Sequence, residues 1–84
     1  MNRKTILIDQ VGASYRVLTV DPHHGKEWHH DITWDLSATE AGESALRRHA
    51  LTGLAVYIST DANRQRRLVT PYCYPQAVLS RNAR

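Results

Sequence analysis

Trp28-His29-His30-Asp31-Ile32-Thr33-Trp34-Asp35-Leu36 is the stretch on which the fold turns. Its odd and even positions separate cleanly. Trp28, His30, Ile32, Trp34 and Leu36 fall on one side, and His29, Asp31, Thr33 and Asp35 on the other. A period of two is that of a half-buried β-strand, so the pattern predicts both tryptophans on the core side and a polar, acidic strip outside. The strand runs directly into Ser37-Ala38-Thr39-Glu40, a capping box in which the serine hydroxyl and the glutamate carboxylate each satisfy an orphan N–H of a helix start.

The predicted helix has matching chemistry at both ends. Glu40 and Glu43 lie at the positive end of its dipole, and Arg47, Arg48 and His49 at the negative end. Gly53 is placed as the stop. At about 100° per residue, Ala38, Ala41, Gly42, Ala45, Leu46 and His49 share one side. Such a small-residue stripe lets a helix approach a sheet closely, and the two tryptophan rings are expected to fill the space it leaves.

Upstream, Thr5–Asp9 and Tyr15–Val20 read as two strands joined by a short loop containing Gly12. Asp21-Pro22 is expected to end the second strand, with residues 23–27 as a loop. Downstream, residues 54–60 and 66–70 read as a fourth and fifth strand around the hairpin composition of Asp61–Gln65. Tyr72-Cys73-Tyr74-Pro75 is expected to be extended at an edge, Gln76–Leu79 to dock as a last short strand or turn, and residues 80–84 to form a basic tail. The predicted fold is a single α+β domain over residues 1–79: an antiparallel sheet of about five strands in the order β-β-β-α-β-β, with one helix on one face.

Composition narrows the function classes. A chain of 84 residues buries only about 60–65% of its unfolded surface, so its core is small. One cysteine, Cys73, leaves no internal disulfide and fits a reducing compartment, and no apolar run approaches the roughly 20 residues needed to cross a bilayer. The expectation is therefore a cytoplasmic protein with no membrane partner. Net charge is +3, but unevenly spread. Residues 21–43 carry a net −5 and residues 44–84 a net +6.

The histidine pairs His23-His24 and His29-His30 are the right residue type for zinc or copper. They match no usual structural-zinc spacing, and neighbours on a strand point to opposite faces, so no metal or other cofactor is assigned. His30 and His49 read more simply as hydrogen-bonded, half-buried side chains. Asp9, Asp21, Lys26 and Glu27 are residue types found in metal-dependent phosphodiesterases. However, no phosphate loop, nucleophile elbow or HExxH accompanies them, and Cys73 has no histidine partner in sequence. The expectation is a non-enzyme.

The strongest surface signal is arginine interleaved with tyrosine: Arg64, Arg66, Arg67, Arg81 and Arg84 with Tyr57, Tyr72 and Tyr74. These residue types serve phosphate contact and base stacking, and they are equally the preferred anchors of protein interfaces. The strip His29, Asp31, Thr33 and Asp35 is the second candidate surface. Two functions are expected from this: an adaptor or inhibitor docking on a protein or nucleoprotein complex, or direct RNA or DNA binding through the Arg64–Arg67 hairpin and tail. Small lone domains of the first kind are common among phage and mobile-element accessory proteins. A homodimer through an edge strand is compatible with either.

Overall fold

A computed structural model describes residues 3–69. Strands β1 (Thr5–Val11), β2 (Ser14–His23) and β3 (Lys26–Leu36) form an antiparallel meander. Helix α1 (Ala38–Thr52) follows, and the chain returns through β4 (Val56–Ser59) and the short β5 (Arg67–Leu68). The predicted five-strand α+β architecture is observed, with one refinement. The sheet order is β3-β2-β1-β4-β5, and β4 lies parallel to β1, so the sheet is mixed. The parallel pair follows from the helix, which carries the chain from the β3 edge across β2 to the free side of β1.

The helix forms as its caps predict. The Ser37 side chain accepts from the Glu40 N–H at 3.1 Å, and the Glu40 carboxylate accepts from the Ser37 N–H at 2.9 Å. Gly53, at φ 74°, donates its N–H to the His49 carbonyl and closes the last turn in the left-handed conformation that glycine adopts without cost. Ala41, Gly42 and Ala45 are buried. Ala41 and Ala45 pack with Ile6, Ile8, Val17 and Val56, and Tyr15, Leu36, Leu54 and Ile58 complete this helix-side core. His49 is half-buried, and its Nδ1 lies 2.8 Å from the Leu54 carbonyl oxygen.

The tryptophans are not in that core. Trp28 is 60% exposed and Trp34 53%, which corrects the expectation from alternation. The alanines meet the sheet's own aliphatic side chains instead. For Trp34 the cause lies in β3, where Asp31 (φ 56°) and Asp35 (φ 59°) occupy the left-handed region. The β2–β3 register slips at both points. Thr19 faces His30 but Val17 faces Thr33, and Tyr15 then faces Leu36. Leu18 is therefore opposite both Asp31 and Ile32, and Arg16 opposite both Trp34 and Asp35. These are one-residue bulges of the type that usually places glycine in the left-handed position.

Each bulge reverses the phase of the strand. His30 lies on the helix side with Thr19. Ile32 packs with Leu7, Leu18, Val20 and Tyr57 on the second face of the sheet, and Leu36 returns to the helix-side core. The same slip breaks the predicted polar strip: His29 pairs with Val20 on the second face, while Thr33 pairs with Val17 on the helix side. His29, Asp31, Thr33 and Asp35 thus form no single surface.

β2 also differs from expectation at Pro22, which continues the strand. β1 pairs only as far as Val20, so beyond that point one edge of β2 is unpaired and proline removes no ladder bond there. His24 (φ 51°) and Gly25 (φ 77°) then make the tight turn between His23 and Lys26.

Asp35 offers a direct check of the bulge, since a left-handed backbone penalises side chains branched at Cβ. Asp35→Val is expected to lower stability by about 1–2 kcal/mol, and Asp35→Gly to be neutral or to raise it by up to about 1 kcal/mol. Urea unfolding midpoints read the difference. Equal midpoints for the valine and glycine variants would mean that β3 is not bulged there.

Candidate binding surface on the second face of the sheet

β1 and β2 each alternate aliphatic side chains to both faces, so the middle of the sheet is buried on both sides. Leu7, Leu18 and Val20 form the second-face cluster, with Tyr57 and Ile32 half-buried against it. Around this cluster the structure gathers charge. Asp9, only 5% exposed, shares the second face with Leu7 on β1 and accepts two arginines. Arg16 Nε donates to Asp9 Oδ2 at 2.9 Å, and Arg64 Nη2 donates to Oδ1 at 2.6 Å. Arg64 Nη1 also donates to the Gln10 carbonyl at 3.0 Å and to Asp61 at 3.3 Å. Gln10 Oε1 in turn accepts from the Asp61 N–H at 2.8 Å, which fixes the β4–β5 loop against the end of β1.

Arg66 makes the longest-range contact. Its guanidinium forks onto Glu27 near the start of β3, with bonds of 2.8 and 3.0 Å. β3 and β5 are the two ends of the sheet order, so this fork joins chain near opposite edges and requires a curled sheet. Two parallel bonds of this kind are the strongest form of a surface ion pair. Arg66, and after it His29, bond to the Glu27 carboxyl and hold its pKa down to about 2 from 4.5. The same pair makes the Arg66 charge harder to remove.

Two of the three hairpin arginines predicted as a basic patch are thus neutralised from within the fold. Arg67 is exposed, and its side chain makes no ion pair with a described residue. Tyr57 lies half-buried in the second-face cluster. Tyr72, Tyr74, Arg81 and Arg84 lie outside the described residues, as do the predicted 72–75 and 76–79 segments and the tail.

The residues that sequence reasoning missed at this surface are Asp9, Arg16, Glu27 and Trp34. The Arg16 guanidinium carbon sits 5.1 Å from the Trp34 ring centroid, a cation–π contact. The exposed Trp34 ring is therefore held by an arginine that is itself anchored on a buried carboxylate. The signal for Arg16 was present in the sequence: a lone charge among Tyr15, Val17 and Leu18 needs a partner when its strand is central.

The other face of β3 is tied to the helix. Arg48 Nη2 donates to the Asp31 carbonyl and, at 3.0 Å, to Thr33 Oγ1, which fastens the first bulge to α1. Burial here lowers the Arg48 pKa, partly offset by the charge of Asp31. His30 approaches Asp31 at 3.3 Å and Asp21 at 3.7 Å, and the His23 and His24 rings meet edge to face with centroids 4.2 Å apart. Among the described residues, no group of three or more histidine, cysteine or acidic side chains is placed to hold one metal ion. No helix among them is long and apolar enough to cross a membrane.

The depressed carboxyl of Glu27 gives a pH dependence with a defined sign. Its contribution to stability is complete above its unfolded pKa of 4.5 and is lost as pH falls toward 2. The side chain is 42% exposed, so solvent screening reduces that contribution to about 0.5–1 kcal/mol. Glu27→Gln should therefore differ from the parent chain in unfolding midpoint at pH 6, and the difference should shrink steadily as pH falls from 4.5 toward 2. A difference that stays undiminished over that range would exclude the Arg66–Glu27 pair as its source.

Fold and surface together define a small α+β domain whose distinctive chemistry lies on a sheet face. No known protein family, curated protein or solved structure matches the chain.

Proposed function

We propose that the protein is a non-enzymatic adaptor or inhibitor that docks on a larger protein or nucleoprotein complex through the second face of its sheet. The observation that carries this reading is Trp34, more than half exposed on that face and held by Arg16. Tryptophan, tyrosine and arginine are the residues that dominate binding energy at protein interfaces, especially where their positions are fixed before binding. Trp34, Arg16 and Tyr57 supply all three around one aliphatic cluster.

The pairing of the arginines favours a protein partner over a bare polyanion. Nucleic-acid affinity comes from cations that exchange counterions for phosphates. Arg16, Arg64 and Arg66 already hold carboxylates, and Asp9 and Glu27 would repel a phosphate chain. Direct RNA or DNA binding remains the alternative, supported by Arg67 and by the arginines of the tail. Affinity capture from the native host with the full chain decides between them. Recovery of one dominant protein that survives moderate salt and nuclease treatment is the expected result. Capture that nuclease abolishes would transfer the function to the alternative, and a blank across conditions would overturn the docking reading.

A further inference from the structure

The structure separates paired from unpaired positive charge. Arg16, Arg64 and Arg66 each face a carboxylate, whereas Arg3 and Lys4 make no ion pair with a described residue. These two adjacent cations line a cleft of about 310 Å³ between the start of β1 and the α1–β4 connection. Its other walls are Thr5, Tyr57 and the segment Gly53-Leu54-Ala55, and no acidic residue lines it. The segment is held in place independently of any ligand. Gly53 closes the helix, the Leu54 N–H donates to Thr52 Oγ1 at 3.1 Å, and the Ala55 carbonyl accepts from the Ile6 N–H at 2.8 Å. The Tyr57 side is fixed as well, because β4 pairs with β1 through Leu7 and with β5 through Leu68.

The geometry points to this cleft as a binding site for a nucleoside monophosphate, a function distinct from the docking reading, with Tyr57 bordering both surfaces. Its volume lies at the small end of the range for ligand pockets, which matches a mononucleotide. An arginine fork beside a lysine point charge is the pairing suited to a terminal phosphate, and it attracts a dianion most strongly when no carboxylate shares the site. The phenol ring of Tyr57 offers a flat wall for a base, and stacking of this kind tolerates any base because each has a π-face. The Thr5 hydroxyl supplies a polar group for a ribose. Phosphate and ring are thus recognised by different walls of one cleft, so neither half of the ligand alone should bind as well as the whole.

Two-dimensional amide NMR of the full chain, titrated with adenosine 5′-monophosphate, adenosine and inorganic phosphate in turn, tests this. Saturable shifts of the Thr5, Gly53, Leu54 and Ala55 amides are expected with the monophosphate, at an affinity about tenfold or more above that of either fragment. The double variant Arg3→Glu, Lys4→Glu should weaken binding by about tenfold or more while leaving the unliganded spectrum otherwise unchanged, since both side chains are exposed. Added salt should weaken it in the unaltered chain as well, so the charge requirement is read even if that variant folds poorly. Phosphate binding as tightly as the monophosphate would overturn the assignment and leave an anion site only. Adenosine binding as tightly, shifts centred on other amides, or no saturation would each overturn it too.

Discussion

Asp9→Ala is expected to destabilise the protein by about 2 kcal/mol, which for a domain of this size is a fall of roughly 10 °C in melting temperature. Removing one partner from a fully buried ion pair costs about 3–5 kcal/mol, because a charge is left without compensation. The lower figure applies here because the arginines reach solvent to different degrees, with 20% of the Arg16 side chain exposed and 53% of that of Arg64. Arg16 bears most of the loss. It lies between β1 and β3, and without Asp9 its guanidinium keeps, among the described residues, only the Trp34 ring. Arg64→Ala is the informative contrast, at about 1 kcal/mol or less, because Asp9 would then retain Arg16 and the lost side chain was largely hydrated. Thermal unfolding of both variants beside the parent measures this. A melting temperature for Asp9→Ala within a degree or two of the parent would mean that the carboxylate organises nothing.

That network explains where the sequence was legible and where it was not. Helix α1 could be read almost residue by residue, because Ser37, Glu40, His49 and Gly53 act on groups within one turn of themselves. β1 and β2 were legible for a similar reason, since β-branched runs bounded by Gly12 and the His24-Gly25 turn specify a hairpin locally. Their burial on both faces was already visible in β2, where Leu18 and Val20 alternate with Tyr15 and Val17. The Trp28–Leu36 alternation was real as a pattern and wrong as a face. Two aspartates in the left-handed conformation shift its phase twice, and aspartate tolerates that conformation without the compositional mark that glycine leaves. Pro22 reads as a strand end only until it is known that β1 stops at Val20. Most important for the site, Asp9 and Arg64 are 55 positions apart and Glu27 and Arg66 are 39 apart. Segment charges showed an acidic middle and a basic end, but not that the fold joins them. The basic patch therefore existed in the sequence and is largely cancelled in the structure.

If the second face is the docking surface, Trp34→Ala should be the most damaging single change to partner binding. An aromatic anchor of this kind is worth about 2–4 kcal/mol on truncation, a loss of roughly 30- to 1000-fold in affinity. Its cost to folding should be small, about 0.5–1 kcal/mol from the contact with Arg16, because the ring is more than half exposed. The combination distinguishes an interface residue from a core residue, for which binding and stability fall together. Trp28→Ala is the internal control. Trp28 pairs with Asp21 and alternates with His29, which places it on the opposite side of β3 from Trp34. It should leave affinity within a few-fold of the parent. Arg67→Ala adds a second discrimination: it should change affinity for a protein partner by less than tenfold, whereas for a nucleic acid it should reduce the salt dependence by about one phosphate contact. Titration of the captured partner against the three variants, with unfolding curves for each, reads all of these. Full affinity in Trp34→Ala together with a collapse in Trp28→Ala would move the docking surface to the other side of β3. The bulge at Asp31 sets that choice of face, because it turns Ile32 and Trp34 away from the side that holds Trp28 and His30.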